Sequence, residues 1–359
     1  MHYKGILLFI ICLLSFFSCT IEKHLGDNQE FGTNLNIEKI NSFKSSRAIY
    51  STPISTTNDN VVVGSHDKSV YFFNHAGYLI NSYKTKGWVH ATPSVLSDKT
   101  IAIGSYDGFL YFFKENGDLQ NKYNPETGNV FTSIVEISER LLAFGTNKKG
   151  VAFYDKKNNT SHHYILNKWV HGTPSLVGLD KLVIGSNDKY IYIFDSSSVF
   201  LSKIKTKGWI MHSEPALIDN NQFAIGSYDK NLYKCTTDGQ ITNSFKAKGR
   251  IHATPLILKN KNIVFGSFDH YIYFLDSDYR LIKKFKTRGK IISSPLLIGM
   301  ETIAIGSYDK YIYFFNLSGD FLGKYKSKGK IFSTPIIIKN NILVICTTNG
   351  YVEFLRLTL

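Results

Sequence analysis

The 359-residue chain is long enough for one large domain or two to three ordinary ones, and a 43% hydrophobic content without low-complexity tracts excludes a disordered or fibrous protein. Tyr (22) and Phe (26) far outnumber Met (3) and Trp (3), an excess of strand-forming aromatics that argues against a helical fold. A formal net charge of +14 suits an anionic partner better than a basic one, although a coding bias towards Lys, Asn, Ile and Phe supplies part of it.

The N-terminus reads MHYKGILLFIICLLSFFSC over residues 1–19: basic Lys4, an apolar run from Ile6 to Phe17, small Ser18, then Cys19. The run is too short to span a bilayer and has the length of a signal-peptide core. Its end resembles a bacterial lipobox, with Phe16 where Leu is commonest. The expectation is a lipoprotein signal peptide over 1–18 and Cys19 as the lipid-bearing first mature residue; an ordinary secretory signal or an uncleaved anchor is the competing reading. Residues 19–35 are polar and without apolar period, and read as a flexible tether. This implies a lipid-anchored protein of the bacterial cell envelope, facing the periplasm from the outer membrane. The remaining cysteines, Cys12, Cys235 and Cys346, have no metal-ligand spacing and predict no disulfide framework.

From residue 36 onward the chain is periodic. The motif GSxDK recurs at Gly64 (GSHDK), Gly104 (GSYDG), Gly185 (GSNDK), Gly226 (GSYDK), Gly266 (GSFDH) and Gly306 (GSYDK), with Gly145 and Cys346 in the same register, at steps of 40 or 41 residues. A second marker agrees: Pro53, Pro93, Pro174, Pro215, Pro255, Pro295 and Pro335, with Ile134 in the missing place. Within each unit four short apolar or alternating runs are separated by turn residues, and Asn116-Gly117, Asp238-Gly239 and Ser318-Gly319 mark a tight hairpin between the third and fourth runs. No run has helical length or period. Eight units of four strands predict an all-β, eight-bladed β-propeller over 36–359. The last copy stops after its third strand. Residues 35–44, with Asn41-Ser42-Phe43-Lys44, match the fourth-strand text Asn81-Ser82-Tyr83-Lys84, so the N-terminal strand should complete blade eight and close the ring.

The text STPISTTNDNVVVGSHDKSVYFFNHAGYLINSYKTKG (51–87) resembles the repeat of PQQ-like β-propellers, with S-x-P, a VVGSxDG-type strand pair and a turn before the fourth strand. It departs from that pattern in carrying Phe43, Tyr83, Tyr123, Phe245, Phe285 and Tyr325 where the family has Trp. Blade three also departs, losing its Pro and reading GTNKKG. The resemblance implies two branches: quinoprotein dehydrogenases, and the lipid-anchored propeller of the bacterial outer-membrane protein assembly machinery. A quinoprotein would need a calcium site, an Asp base and an adjacent-cysteine disulfide, and no two cysteines here are adjacent. The expectation is a monomeric, non-catalytic scaffold without cofactor, metal or nucleic acid, bound to an envelope protein such as a barrel-assembly component and to the membrane through its lipid.

In a four-stranded blade, the GSxDK turns and the links between blades should share one face. The aspartates of these turns (Asp67, Asp107, Asp188, Asp229, Asp269, Asp309) can accept turn amides, and this reading competes with a carboxylate ring for a cation or sugar. The links carry seventeen Lys and Arg against one acid, Glu126. Basicity is densest at Lys205, Lys207, Lys246, Lys248, Arg250, Arg288, Lys290, Lys328 and Lys330, with Lys86 also present, and thin around blade three. Such a face reads either as a partner-binding surface or as a solvated Lys-rich rim. All three tryptophans, Trp88, Trp169 and Trp209, lie in these links and read as blade packing or as exposed anchors. At the channel mouth stand Tyr50, His90, Phe131, His171, His212, His252, Ile292 and Phe332. A filled mouth fits these residues better than a metal site, because no supporting carboxylates are evident. An alternative function is a receptor for an anionic glycan or lipid head group on the basic face.

Overall fold

A computed structural model describes residues 35–358 apart from 149 and 179; the expected signal peptide, Cys19 and most of the tether lie outside the described residues. Eight antiparallel four-stranded sheets form a β-propeller, and among the described residues the one helical element is a single 3-10 turn at Lys339–Asn341. Blade one is Ile54–Ser55, Val61–Gly64, Ser69–Phe73 and Leu79–Lys84, in sheet order, and six further blades follow in the same way. Blade eight is assembled from both ends of the chain. Asn36–Lys44 pairs antiparallel with Tyr351–Thr358, with Phe43 opposite Val352. The expected closure is therefore present, and it leaves no blade without its outer strand.

The period-two pattern sets the packing. The second and third strands of each blade are buried on both faces, so successive side chains enter alternate inter-blade layers. Between blades six and seven, Val264, Ile272 and Phe274 meet Ile303, Ile305, Tyr313 and Phe315. Phe285, standing where the repeat pattern has Trp, covers the edge of this layer with its ring centroid 5.1 Å from that of Phe315. Each fully buried Phe or Ile removes apolar area worth roughly 2 kcal/mol, and the layer repeats around the ring.

The GSxDK turn fastens each blade to the link before it. In blade seven, Asp309 Oδ1 accepts the Tyr311 N–H at 3.1 Å, which is the expected turn-amide bond. Its Oδ2 accepts the Tyr313 hydroxyl at 2.8 Å and the backbone N–H of Arg288, in the incoming link, at 2.9 Å. Asp107, Asp229 and Asp269 bond Lys86, Lys207 and Lys248 in the same way. The carboxylates are turned into the structure and not presented as a ring. Close approach requires glycine in the link: a Cβ on Gly249 would lie 2.3 Å from the Asp269 nitrogen. In blade three, Lys148 and Ala152 occupy the Asp and Tyr positions, and Asn147 Oδ1 accepts the Asn129 N–H at 2.8 Å instead.

Candidate functional site

The Asp-to-link bonds place the GSxDK turns and the links on one face, here the link face. Lys86, Lys205, Lys207, Lys246, Lys248, Arg250, Arg288, Lys290, Lys328 and Lys330 are all exposed there. Among the described residues none of these ten forms an ion pair with a carboxylate. Ion pairs form instead on the opposite face and outer strands, among them Lys156 with Glu136 (2.9 Å), Lys261 with Asp219 (3.2 Å), Lys283 with Asp320 (2.5 Å) and Lys181 with Asp180 (2.7 Å). The link acid Glu126 stands alone before blade three, and the six turn aspartates are spent on backbone amides and tyrosine hydroxyls.

One link position divides this face into two arcs. Trp88, Trp169 and Trp209 hold it at blades two, four and five, and Arg250, Lys290 and Lys330 hold it at blades six to eight. The cations lie over aromatic rings of the preceding turns: Arg250 over Tyr228 (5.1 Å), Lys290 over Phe268 (5.2 Å) and Lys330 over Tyr308 (5.7 Å). Trp88 stacks on His66 at 4.8 Å and 13°, and Trp209 lies parallel to Tyr228 at 6.5 Å. Each tryptophan thus packs with one part of its surface, yet 42%, 52% and 47% of Trp88, Trp169 and Trp209 remain exposed. Among the described residues no two tryptophan rings touch.

Beneath this layer the axis is plugged. Tyr50, His90, His171, His212 and His252 converge with Phe332: His212 lies 5.4 Å from His171, 4.7 Å from His252 and 5.5 Å from His90, across the ring. Phe332 meets Tyr50 at 5.0 Å and His252 at 5.3 Å. His66, which sequence reasoning did not single out, joins them with Nε2 3.0 Å from His90 Nδ1. Burial holds every one of these imidazoles neutral. It lowers His66 and His171 to about 4 and His90 and His252 to about 3, with neighbouring imidazoles adding to the effect at His90 and His252, and it drives His212 well below its ordinary value. Among the described residues no three His, Cys, Asp or Glu side chains are placed to hold a metal ion.

Below the plug lies an axial cavity of about 540 Å³. Its wall is a hydroxyl collar, in which a backbone N–H of one blade donates to the Ser or Thr of the next: Thr52 to Thr92 at 3.2 Å, Thr254 to Ser294 at 3.0 Å, and Thr334 back to Thr52 at 3.2 Å. Blade five breaks the collar with Glu214, whose own N–H donates to Thr254 at 2.9 Å. Burial raises the Glu214 carboxyl to about 6, a hydrogen bond from Thr173 opposing the shift. The sequence signal was present: Glu214 is the single acid in a register of seven Ser and Thr. This donor set does not fit a calcium-bound quinone, since Glu214 is the one carboxylate lining the cavity and Cys235 and Cys346 are buried in separate cores.

No protein-family model and no curated protein sequence matches the chain. Solved structures of similar fold include BamB from Moraxella catarrhalis, with a TM-score of 0.73 and 16% identity over 89% of this chain and 98% of that one. They also include the computationally designed Ika8 protein (0.74, 15%, 88% and 99%) and Sqt1 from Saccharomyces cerevisiae (0.77, 13%, 89% and 98%). At these identities the likeness establishes the propeller fold and nothing finer. The PQQ-like resemblance rests on the repeat text alone.

Proposed function

We propose that the chain is a non-catalytic interaction scaffold whose link face docks an envelope protein. One observation carries this reading. Several ion pairs form on the opposite face, while among the described residues the ten link-face cations have no carboxylate partner and stand beside three half-exposed tryptophans. A solvated rim gives no reason for the aromatic arc; a docking face does, because tryptophan and arginine dominate interface energetics. The likeness in fold to BamB and the repeat resemblance support placing the partner among the proteins that assemble outer-membrane barrels. Lipidation at Cys19 and an outer-membrane address belong to the same proposal and rest on residues 1–35. A second reading, a receptor for an anionic glycan, draws on Lys86 with Trp88, Lys168 with Trp169 and Lys207 with Trp209, each offering a cation beside a stacking surface.

The test is purification of the lipidated protein from detergent-solubilised membranes at low and high salt, with co-purifying proteins identified by mass spectrometry. A parallel sample carries Lys207→Glu, Lys248→Glu, Arg288→Glu and Lys328→Glu. Partner proteins retained at high salt and lost in the variant support the scaffold. A preparation free of protein partners contradicts it and favours the glycan reading, which requires steep salt dependence.

A further inference from the structure

The axial cavity is separate from the docking face and differs from it in charge. No Lys or Arg lines it, its imidazoles are neutral, and its one ionisable acid is Glu214. Three departures from the repeat fall together at this point. Between Trp209 and His212 the link into blade five has one residue, Met211, more than the link between Trp88 and His90. His212 absorbs the insertion with φ at 60°, a left-handed conformation that no equivalent residue of the other links adopts. Two residues on, Glu214 replaces the hydroxyl that the collar uses in every other blade. An irregular backbone and a half-buried carboxylate facing the cavity occur in the same short segment, and such features concentrate where function holds them.

We propose that the cavity is a binding site for a small hydroxylated organic ammonium compound. Its ammonium group would pair with Glu214, and its hydroxyl groups would bond the Ser and Thr collar. The rings of Tyr50, Phe131 and Phe332 line the same space and favour a cation over a neutral ligand. The volume is that of a small-molecule site. Glu214 disfavours an anionic ligand in this cavity. The carboxylate and the aromatic roof lie on different blades, and a ligand held between them is fixed in orientation along the axis.

The test is titration by calorimetry and saturation-transfer NMR at neutral pH with choline and glucosamine, and with glucose as the neutral counterpart of the amino sugar. Variants are Glu214→Gln, which keeps the shape, and Glu214→Thr, which restores the collar found in the other blades and so preserves folding. The expected result is stoichiometric binding of at least one of the two ammonium compounds, with glucose at least about tenfold weaker, and at least about tenfold loss in both variants, the change that removal of one ionic contact produces. Binding of neither cation to the unaltered protein overturns the proposal. So does equal binding to Glu214→Thr, which would place the ligand elsewhere.

Discussion

Glu353 Oε1 accepts the backbone N–H of Lys328 at 2.8 Å, a bond that in blades two, five, six and seven is made by the turn aspartate. In blade eight that turn position is Asn349, and the carboxyl group has moved four residues along to the place where six of the other blades have tyrosine. Glu353 is fully buried, and the Tyr325 hydroxyl donates to its Oε2 at 3.2 Å. The Asp–Tyr pair has become an Asn–Glu pair that fastens the same link.

This exchange predicts strong coupling. Glu353→Tyr alone should leave the Lys328 N–H without its acceptor, and Asn349→Asp alone should set two carboxyl groups side by side. Each single change should cost about 1–3 kcal/mol in urea unfolding, while the double change, which rewrites blade eight in the text of blade seven, should recover most of it. Additive effects would show that the carboxyl group does not substitute for the turn aspartate.

Asp309 should be worth more than its exposure suggests. Asp309→Ala removes the acceptor for Tyr311 N–H, Arg288 N–H and the Tyr313 hydroxyl together. A loss of about 3 kcal/mol is expected from three donors left partly buried. Lys148→Ala, at the same position in blade three, should change stability by less than about 0.5 kcal/mol. Equal effects at the two positions would deny the fastening role.

Glu214 makes a pH-dependent prediction. Its folded value, about 6, lies above the ordinary 4.5, so the folded state holds the proton more tightly than the unfolded one. Below pH 4.5 the carboxyl is neutral in both states and carries no penalty. As pH rises through 6, a penalty of about 2 kcal/mol develops. Glu214→Gln should therefore stabilise the protein at pH 8 and have little effect at pH 4, as read by urea unfolding at each pH.

The imidazole plug acts in the other direction. His90 and His252 titrate near 3 when folded and 6.5 when unfolded, so the unfolded chain takes up protons first. Their contribution is complete above pH 6.5 and is lost as pH falls towards 3. At pH 5 each should have given up about 2 kcal/mol, and the unfolding midpoint in urea should fall steeply between pH 7 and pH 5. Replacing His90 with Phe should flatten that slope.

The propeller was legible because each blade rewrites one local pattern: period-two strands, Gly-containing turns and a fixed interval of 40 or 41 residues, all set by neighbouring residues. Closure was legible for the same reason, since Asn41–Lys44 copies a fourth strand. The inward turn of the aspartates was half legible. The turn amides are local, but the Arg288 and Tyr313 bonds depend on how a link crosses the next blade. His66 and Glu214 were missed because their meaning lies across the axis, where blades far apart in sequence meet. The departures at 211–214 mattered only once the register of all eight links was fixed in space.

The claim that the link face is the docking face is tested most directly by site-specific photo-crosslinking in intact cells. A photo-reactive amino acid would be placed at Trp88, Trp209, Lys248 or Lys290 on the link face, and at Lys99, Lys114, Lys157 or Lys259 on the opposite face. The account predicts discrete protein adducts from the first set and none from the second. Adducts arising only from the opposite face would contradict it.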